Sequence, residues 1–278
     1  MSRHSHDPDD FAWSVPVMRA GYAGRGLVYL AVGATSLWSI LHGGEAEGTK
    51  ETMQHLSGML GNAVLVLIAL GMLAYAIWRV TDAVWDLEDY GTKLKGLAAR
   101  VGLAVSGLIH LGIGGVAVLA LLARSGSGSG QMVSTVMGMP MGRLAVGLVG
   151  VAVIGAAVYY LMKGIRASYR GRLRANAVTT HANLILQLGL VAQGVVLMIA
   201  GGLIAYAAYA YAPEAAGGMD RAFEWLRAHP FGQWLCGTIS AGLLAFALFC
   251  FVNALYRIVP RASEKDVETL ARKLKSMA

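Results

Sequence analysis

The sequence predicts an all-α membrane protein with six transmembrane helices, arranged as three parallel two-helix repeats around a pseudo-threefold axis. Three observations lead there. The chain has 278 residues, of which 56% are hydrophobic and only 14% charged. A soluble domain carries about a quarter charged residues, so this chain has more apolar surface than water tolerates. The ionisable residues gather in short clusters, separated by apolar runs of about the 20 residues that cross a bilayer. A glycine frame then recurs through the chain, and recurrence of this kind fixes architecture.

The apolar runs place the spans at Ala20–Leu41, Leu60–Val80, Ala98–Ala123, Gly142–Leu161, Asn183–Tyr211 and Gly232–Val259. Each is expected to be helical, because an open strand in lipid leaves its backbone N–H and C=O groups unpaired. Strands of a β-barrel would alternate apolar and polar residues, and these runs do not. The first run is too long for a cleavable leader and carries Arg19 and Arg25 in its first turns, so it is expected to stay. Cys236 and Cys250 lie fourteen residues apart on the last helix, about 21 Å at 1.5 Å per residue. They are read as small apolar packing residues.

Most of the 23 Lys and Arg residues fall at the N-terminus, in the second and fourth connections and at the C-terminus. The positive-inside rule puts that side in the cytoplasm, with both termini. The net charge of +7 then implies anchoring to anionic lipid head groups. No nucleic-acid partner is expected, since the basic clusters flank the membrane and lack a binding motif. The inner membrane of a bacterium is the expected location.

The frame is clearest on the first helix of each pair. Gly21, Arg25, Gly26, Tyr29 and Gly33 align with Gly102, Ser106, Gly107, His110 and Gly114, and again with Gly189, Gln193, Gly194, Leu197 and Gly201. Every glycine of the frame is kept in all three copies. On the second helices Gly61, Gly142 and Gly232 open the run. Trp78, Tyr159 and Phe249 follow in register, then Asp82, Lys163 and Asn253, then Trp85, Arg166 and Tyr256. The repeats span 19–92, 98–174 and 182–259, between an N-terminal segment 1–18 and a tail 260–278. A linear row of hairpins is the competing arrangement. Short amphipathic helices are expected at Asp220–Ala228 and Thr52–Leu60. Another is expected in the tail, where Ser263 and Asp266 form a capping box ahead of Val267, Leu270, Ala271 and Leu274. The stretch from Arg124 to Gly130 reads as a flexible linker.

The segments Arg19-x-Gly-Tyr-x-x-Arg-Gly-x-Val-Tyr29, Gly71-Met-Leu-Ala-Tyr-Ala-Ile-Trp-Arg79 and Pro-Phe-Gly232 resemble those of the bacterial membrane domain-of-unknown-function family 1206. The resemblance covers about residues 17–259 and implies the repeated two-helix fold. Ser106 and Gln193 depart from it where the first copy has Arg25.

Small residues four apart let helix backbones approach closely in lipid, so the glycine stripes read as packing seams. If three such seams converge on the axis, Arg25, Tyr29, Ser106, His110 and Gln193 line a central binding site. His110 is the most informative of these, being an ionisable group near mid-membrane. Asp82, Lys163 and Asn253 lie at equal depth near the cytoplasmic mouth, where Asp82 and Lys163 could form an interhelical gate. The alternative there is snorkelling, with Asp82 satisfied by Arg79. Trp78, Trp85, Tyr159, Tyr160, Tyr169 and Tyr256 suit an aromatic belt. No nucleophile–base pair, metal cluster or phosphate loop is present, so neither enzymatic activity nor a cofactor is expected. Two functions fit: a small solute or ion permease with a polar site on the axis, or a scaffold whose glycine seams bind other membrane helices or a second copy.

Overall fold

A computed structural model describes residues 11–56, 58–122, 134–260 and 267–277. Six long helices dominate it: α1 (Ser14–Leu41), α2 (Gly58–Trp85), α3 (Leu94–Leu121), α4 (Gly142–Ile165), α5 (Asn183–Ala210) and α6 (Gly232–Tyr256). The last five are long and apolar enough to cross a membrane. Helix α1 has the same 28-residue length as α2 but carries Arg19 and Arg25. Among the described residues β-structure is limited to two isolated bridges, Leu173 with Arg257 and Arg174 with Thr269. The linker at Arg124–Gly130 and the capping box of Ser263 and Asp266 lie outside the described residues.

Short helices appear near two of the expected places, at Thr49–His55 and Met219–Arg227. The tail helix Leu270–Met277 buries Leu270 completely, and Leu274 packs on the core beside it. The segment before it is held by backbone bonds from Ala175 N to Glu268 O (2.9 Å) and from Leu270 N to Leu173 O (2.8 Å). The tail therefore docks on the connection between α4 and α5.

Repeat equivalence is visible in backbone conformation. Met141 and Phe231 both take left-handed φ, +64° and +61°, just before α4 and α6. The glycines that follow are forced by crowding. A Cβ on Gly142 would stand 1.7 Å from Val136 O, and one on Gly232 would stand 2.5 Å from Arg227 O.

The helices pack in the order α3–α2–α1–α6–α5–α4, each extensively against its neighbours. Within the first repeat a Cβ on Gly21 would meet Tyr75 Cα at 2.6 Å, and one on Gly24 would meet Gly71 Cα at 2.4 Å. The third repeat reproduces both contacts: Gly189 lies 2.5 Å from Phe246 N by the same measure, and Gly242 lies 2.3 Å from Ala192 Cβ. The middle repeat does not. Its helices α3 and α4 stand at opposite ends of the series, and a Cβ on Gly102 would meet nothing within 4 Å.

This asymmetry gives a stability test. Gly24→Val has no space between two backbones and is expected to lower stability by about 3 kcal/mol or more, in the range of severe overpacking. Gly102→Ala is expected to be neutral or stabilising by a few tenths, from helix propensity. Thermal unfolding of the two purified variants in one detergent checks the contrast.

Candidate functional site

The centre of the helix series is built on Arg25, which enters from α1 about 16 Å along the helix at 1.5 Å per residue. Its side chain is only 2% exposed. Nη1 donates to the Tyr75 hydroxyl of α2 (3.0 Å) and Nη2 to the Tyr160 hydroxyl of α4 (2.8 Å). The guanidinium lies over the Phe246 ring of α6 at 4.9 Å and over Tyr29 of α1 at 5.5 Å. The His110 ring of α3 packs on Tyr75 with centroids 4.5 Å apart. Gln193 of α5 donates from Nε2 to the Tyr29 hydroxyl (3.0 Å). Side chains from all six helices therefore meet at one point.

The electrostatics of this centre are unbalanced. The aromatic faces are attracted to the cation, but among the described residues no carboxylate pairs with Arg25. Three buried polar atoms of the centre have no hydrogen-bond partner: Arg25 Nε, His110 Nε2 and Gln193 Oε1. Each such atom costs about 1–3 kcal/mol. They come one from each repeat. His110 Nδ1 lies 2.7 Å from the Ser106 carbonyl, which can only accept, so Nδ1 carries the hydrogen. A neutral ring then leaves Nε2 with a free lone pair. The centre thus offers one unmet donor and two unmet acceptors.

A second cluster lies at the end of the bundle where α2 is joined to α3, and its hub is Glu88. Glu88 is 1% exposed. Its Oε1 accepts from Arg257 Nε (3.0 Å) and, more closely, from Arg257 Nη2. Its Oε2 accepts from the Tyr90 hydroxyl (3.0 Å) and faces Arg172 Nη1 at 3.9 Å. Burial alone would raise the Glu88 carboxyl, but the Arg257, Arg79 and Arg172 guanidinium groups overcome it and hold the pKa at about 2.

Polar contacts join the two clusters. The Tyr75 hydroxyl that accepts from Arg25 also accepts from Arg79 Nε (2.9 Å). Arg79 donates to the Tyr22 hydroxyl (3.3 Å) and faces Asp82 Oδ2 at 3.8 Å. Asp82 Oδ1 accepts from the Glu88 backbone N–H (3.0 Å). Asn253 joins the same network through Arg257 Nη1, which donates to its Oδ1 (2.8 Å).

Of the residues expected to bind, the structure brings Arg25, Tyr29, His110 and Gln193 together. Ser106 contributes its backbone carbonyl rather than its hydroxyl. The expected Asp82–Lys163 ion pair does not form. Asp82 is paired with Arg79, three residues earlier on its own helix, while Lys163 Nζ rests over the Tyr159 and Phe249 rings at 5.4 and 5.8 Å. Equal depth does not make two side chains face each other when a local arginine is nearer. The aromatic belt is also revised. Trp78 and Tyr169 are core residues at 0% and 1% exposure, and Tyr160 belongs to the centre. Sequence reasoning missed Tyr75, Phe246 and Glu88. An acidic run at Asp86, Glu88 and Asp89 on an otherwise basic side was the available signal for the last.

A domain of unknown function (DUF1206) matches the chain three times, at residues 20–86, 101–167 and 188–257. An uncharacterized protein of Bacillus subtilis strain 168, YxxB, is 24% identical over 252 residues, covering 88% of this chain and 92% of its own length. No solved structure matches.

Proposed function

The chain belongs to the DUF1206 family of repeated membrane-type helical domains, and from that premise we propose that it is a multi-pass carrier binding a small anionic solute at Arg25. The observation that carries this reading is a guanidinium buried among six helices with no carboxylate paired to it among the described residues, its own Nε and the nearby His110 Nε2 and Gln193 Oε1 all unmet. An arginine at mid-membrane costs about 2.5–3.5 kcal/mol by insertion scales. A protein retains it where it meets a charge of opposite sign. The proposed topology has six crossings, α1 included, around a pseudo-threefold axis, with the Glu88 end and both termini cytoplasmic by the distribution of Lys and Arg. The polar chain from Arg25 through Tyr75, Arg79 and Asp82 to Glu88 then forms the cytoplasmic half of a path. Asp82 and Asn253 would act there with Glu88 as the closure. The basic residues on that side would rest against anionic lipid head groups.

The scaffold reading keeps one observation in its favour. Gly102, Gly112 and Gly155 on α3 and α4 have nothing within 4 Å of an added Cβ, as a surface awaiting another membrane helix would.

Ligand-induced stabilisation tests the carrier reading, since a ligand at 100 times its Kd contributes about 2.7 kcal/mol. Purified protein is titrated with succinate, octanoate and phosphate at constant ionic strength, with chloride as reference. At least one anion is expected to raise the unfolding temperature of the wild type, and His110→Ala is expected to lose most of that rise. The same anion should then enter proteoliposomes containing wild type and not those containing His110→Ala. A flat response to every anion would remove the reading.

A further inference from the structure

The middle repeat differs from its neighbours in one consistent way: its internal seam is open. In the first repeat Val28 and Ile68 occupy the seam at 3% and 0% exposure. Their equivalents in the middle repeat, Ile109 and Val149, are 49% and 53% exposed. The seam pair Gly24 and Gly71 corresponds to Val105 and Ala152, both exposed, and Gly21 and Tyr75 correspond to Gly102 and Ala156, both exposed. Of the small residues that close the other two repeats the middle one keeps Gly102 and Ala152 but has Val105 in place of Gly24 and Ala192, and α3 packs on α2 and α4 on α5 instead. The series of helices is therefore open between α3 and α4, whose exposed apolar seam positions flank the opening, called here the cleft.

The two helices that bound this cleft also carry His110 and Tyr160, the side chains by which α3 and α4 reach the centre. The centre they reach holds the unmet donor Arg25 Nε and the unmet acceptors His110 Nε2 and Gln193 Oε1, on side chains no more than 7% exposed. Arg25 Nη1 and Nη2 already donate to tyrosines, and Nε is the one guanidinium nitrogen left without a partner. One donor and an acceptor match a carboxyl group: one oxygen accepts from Arg25 Nε, and the proton that accompanies the carboxylate is shared between the other oxygen and His110 Nε2.

We infer that the anion is the head of a long-chain carboxylate, which enters from the bilayer through the α3–α4 cleft and keeps its acyl chain there while its carboxyl group meets Arg25 and His110. This rests on the carrier reading and gives it a substrate class. Charge complementarity commits the occupant: an ordinary lipid tail would satisfy the cleft but none of the three atoms of the centre. Burying acyl methylenes in the cleft adds little in lipid, so affinity comes from the head group and selectivity from the route.

The test uses full-length protein in detergent and equilibrium dialysis with radiolabelled palmitate, hexadecanol and succinate. Wild type is expected to bind one palmitate and at least tenfold less hexadecanol. The double variant Val105→Trp with Ala152→Trp changes two exposed positions and fills the cleft. It should lose palmitate at least tenfold while keeping a wild-type unfolding temperature. Arg25→Gln should lose palmitate as well. Hexadecanol binding as tightly as palmitate would show a general lipid slot and overturn the inference. Palmitate binding that survives the two tryptophans would overturn the lateral route. Succinate bound in an Arg25-dependent way without palmitate would overturn this inference and leave the carrier reading standing. Absence of all three ligands would overturn this inference, and a flat response to octanoate and phosphate as well would overturn the carrier reading. A second copy of the chain in the cleft would appear as a dimer that the two tryptophans dissociate, with no palmitate bound, and would also overturn it.

Discussion

Arg25→Gln is expected to lose anion binding by about 30- to 5,000-fold, the 2–5 kcal/mol typical of truncating a charged, hydrogen-bonded partner, while the apo-protein becomes no less stable. The two halves of this result have one cause. Arg25 is a buried cation without a carboxylate among the described residues, held by two tyrosine hydroxyls and aromatic faces. Taking the charge out of lipid removes a cost, and glutamine retains a donor for one of the hydroxyls. A residue placed there for packing alone would behave otherwise: its loss would lower the unfolding temperature and leave no ligand effect to measure. Calorimetric titration and thermal unfolding on the same preparation separate the two cases. Arg25→Lys is not a conservative control, because an ammonium cannot serve two separated hydroxyls and a ligand in the plane of a guanidinium.

Glu88→Gln is expected to act on stability. Glu88 neutralises Arg257 and Arg172 in a site where it is 1% exposed, and it ties the α2–α3 connection to the end of α6. Breaking a buried pair by removing one partner costs about 3–5 kcal/mol, and here two cations are left facing each other. The acid limb gives a second readout. The folded carboxyl is held at about 2, below its ordinary value of 4.5. A lowered folded pKa contributes stability that is complete above the unfolded value and disappears as pH falls through the folded one. Wild type is therefore expected to lose stability as pH drops from 4.5 toward 2. The slope over that interval should be shallower in Glu88→Gln, measured by denaturant unfolding at fixed ionic strength.

The features legible in the sequence are those set by backbone geometry. Helix pairs in lipid approach closely where a side chain is missing, so Gly21 and Gly189 mark real contacts, while Gly102 keeps the frame of the repeat without one. Arg25, His110 and Gln193 were legible because polar groups are rare inside a span and these sit on the same stripe of each copy. Tyr75 and Phe246 were not, because their repeat equivalent is Ala156 and the row has no common chemistry. Tyr160 hid in the same way, in register with Arg79 and Cys250. Glu88 lies in a connection, and its partners Arg172 and Arg257 are 84 and 169 residues distant. No local pattern joins such a set. The open seam of the middle repeat was hidden for the opposite reason. Its residues keep the apolar character of the closed seams and differ in size at Val105, where those have Gly24 and Ala192, so the placement of α3 and α4 is what reveals the difference.

Arg25, at the meeting point of six helices, is proposed to meet a negative charge from outside the chain. An experimental density map of the protein purified from its native membrane in mild detergent tests this most directly. The expected map shows density not belonging to the chain within hydrogen-bonding reach of Arg25 Nε, His110 Nε2 and Gln193 Oε1, continuing as a thin rod between α3 and α4. A carboxylate of the chain itself seated on Arg25, or α3 and α4 closed on each other over a dry apolar axis, would contradict it.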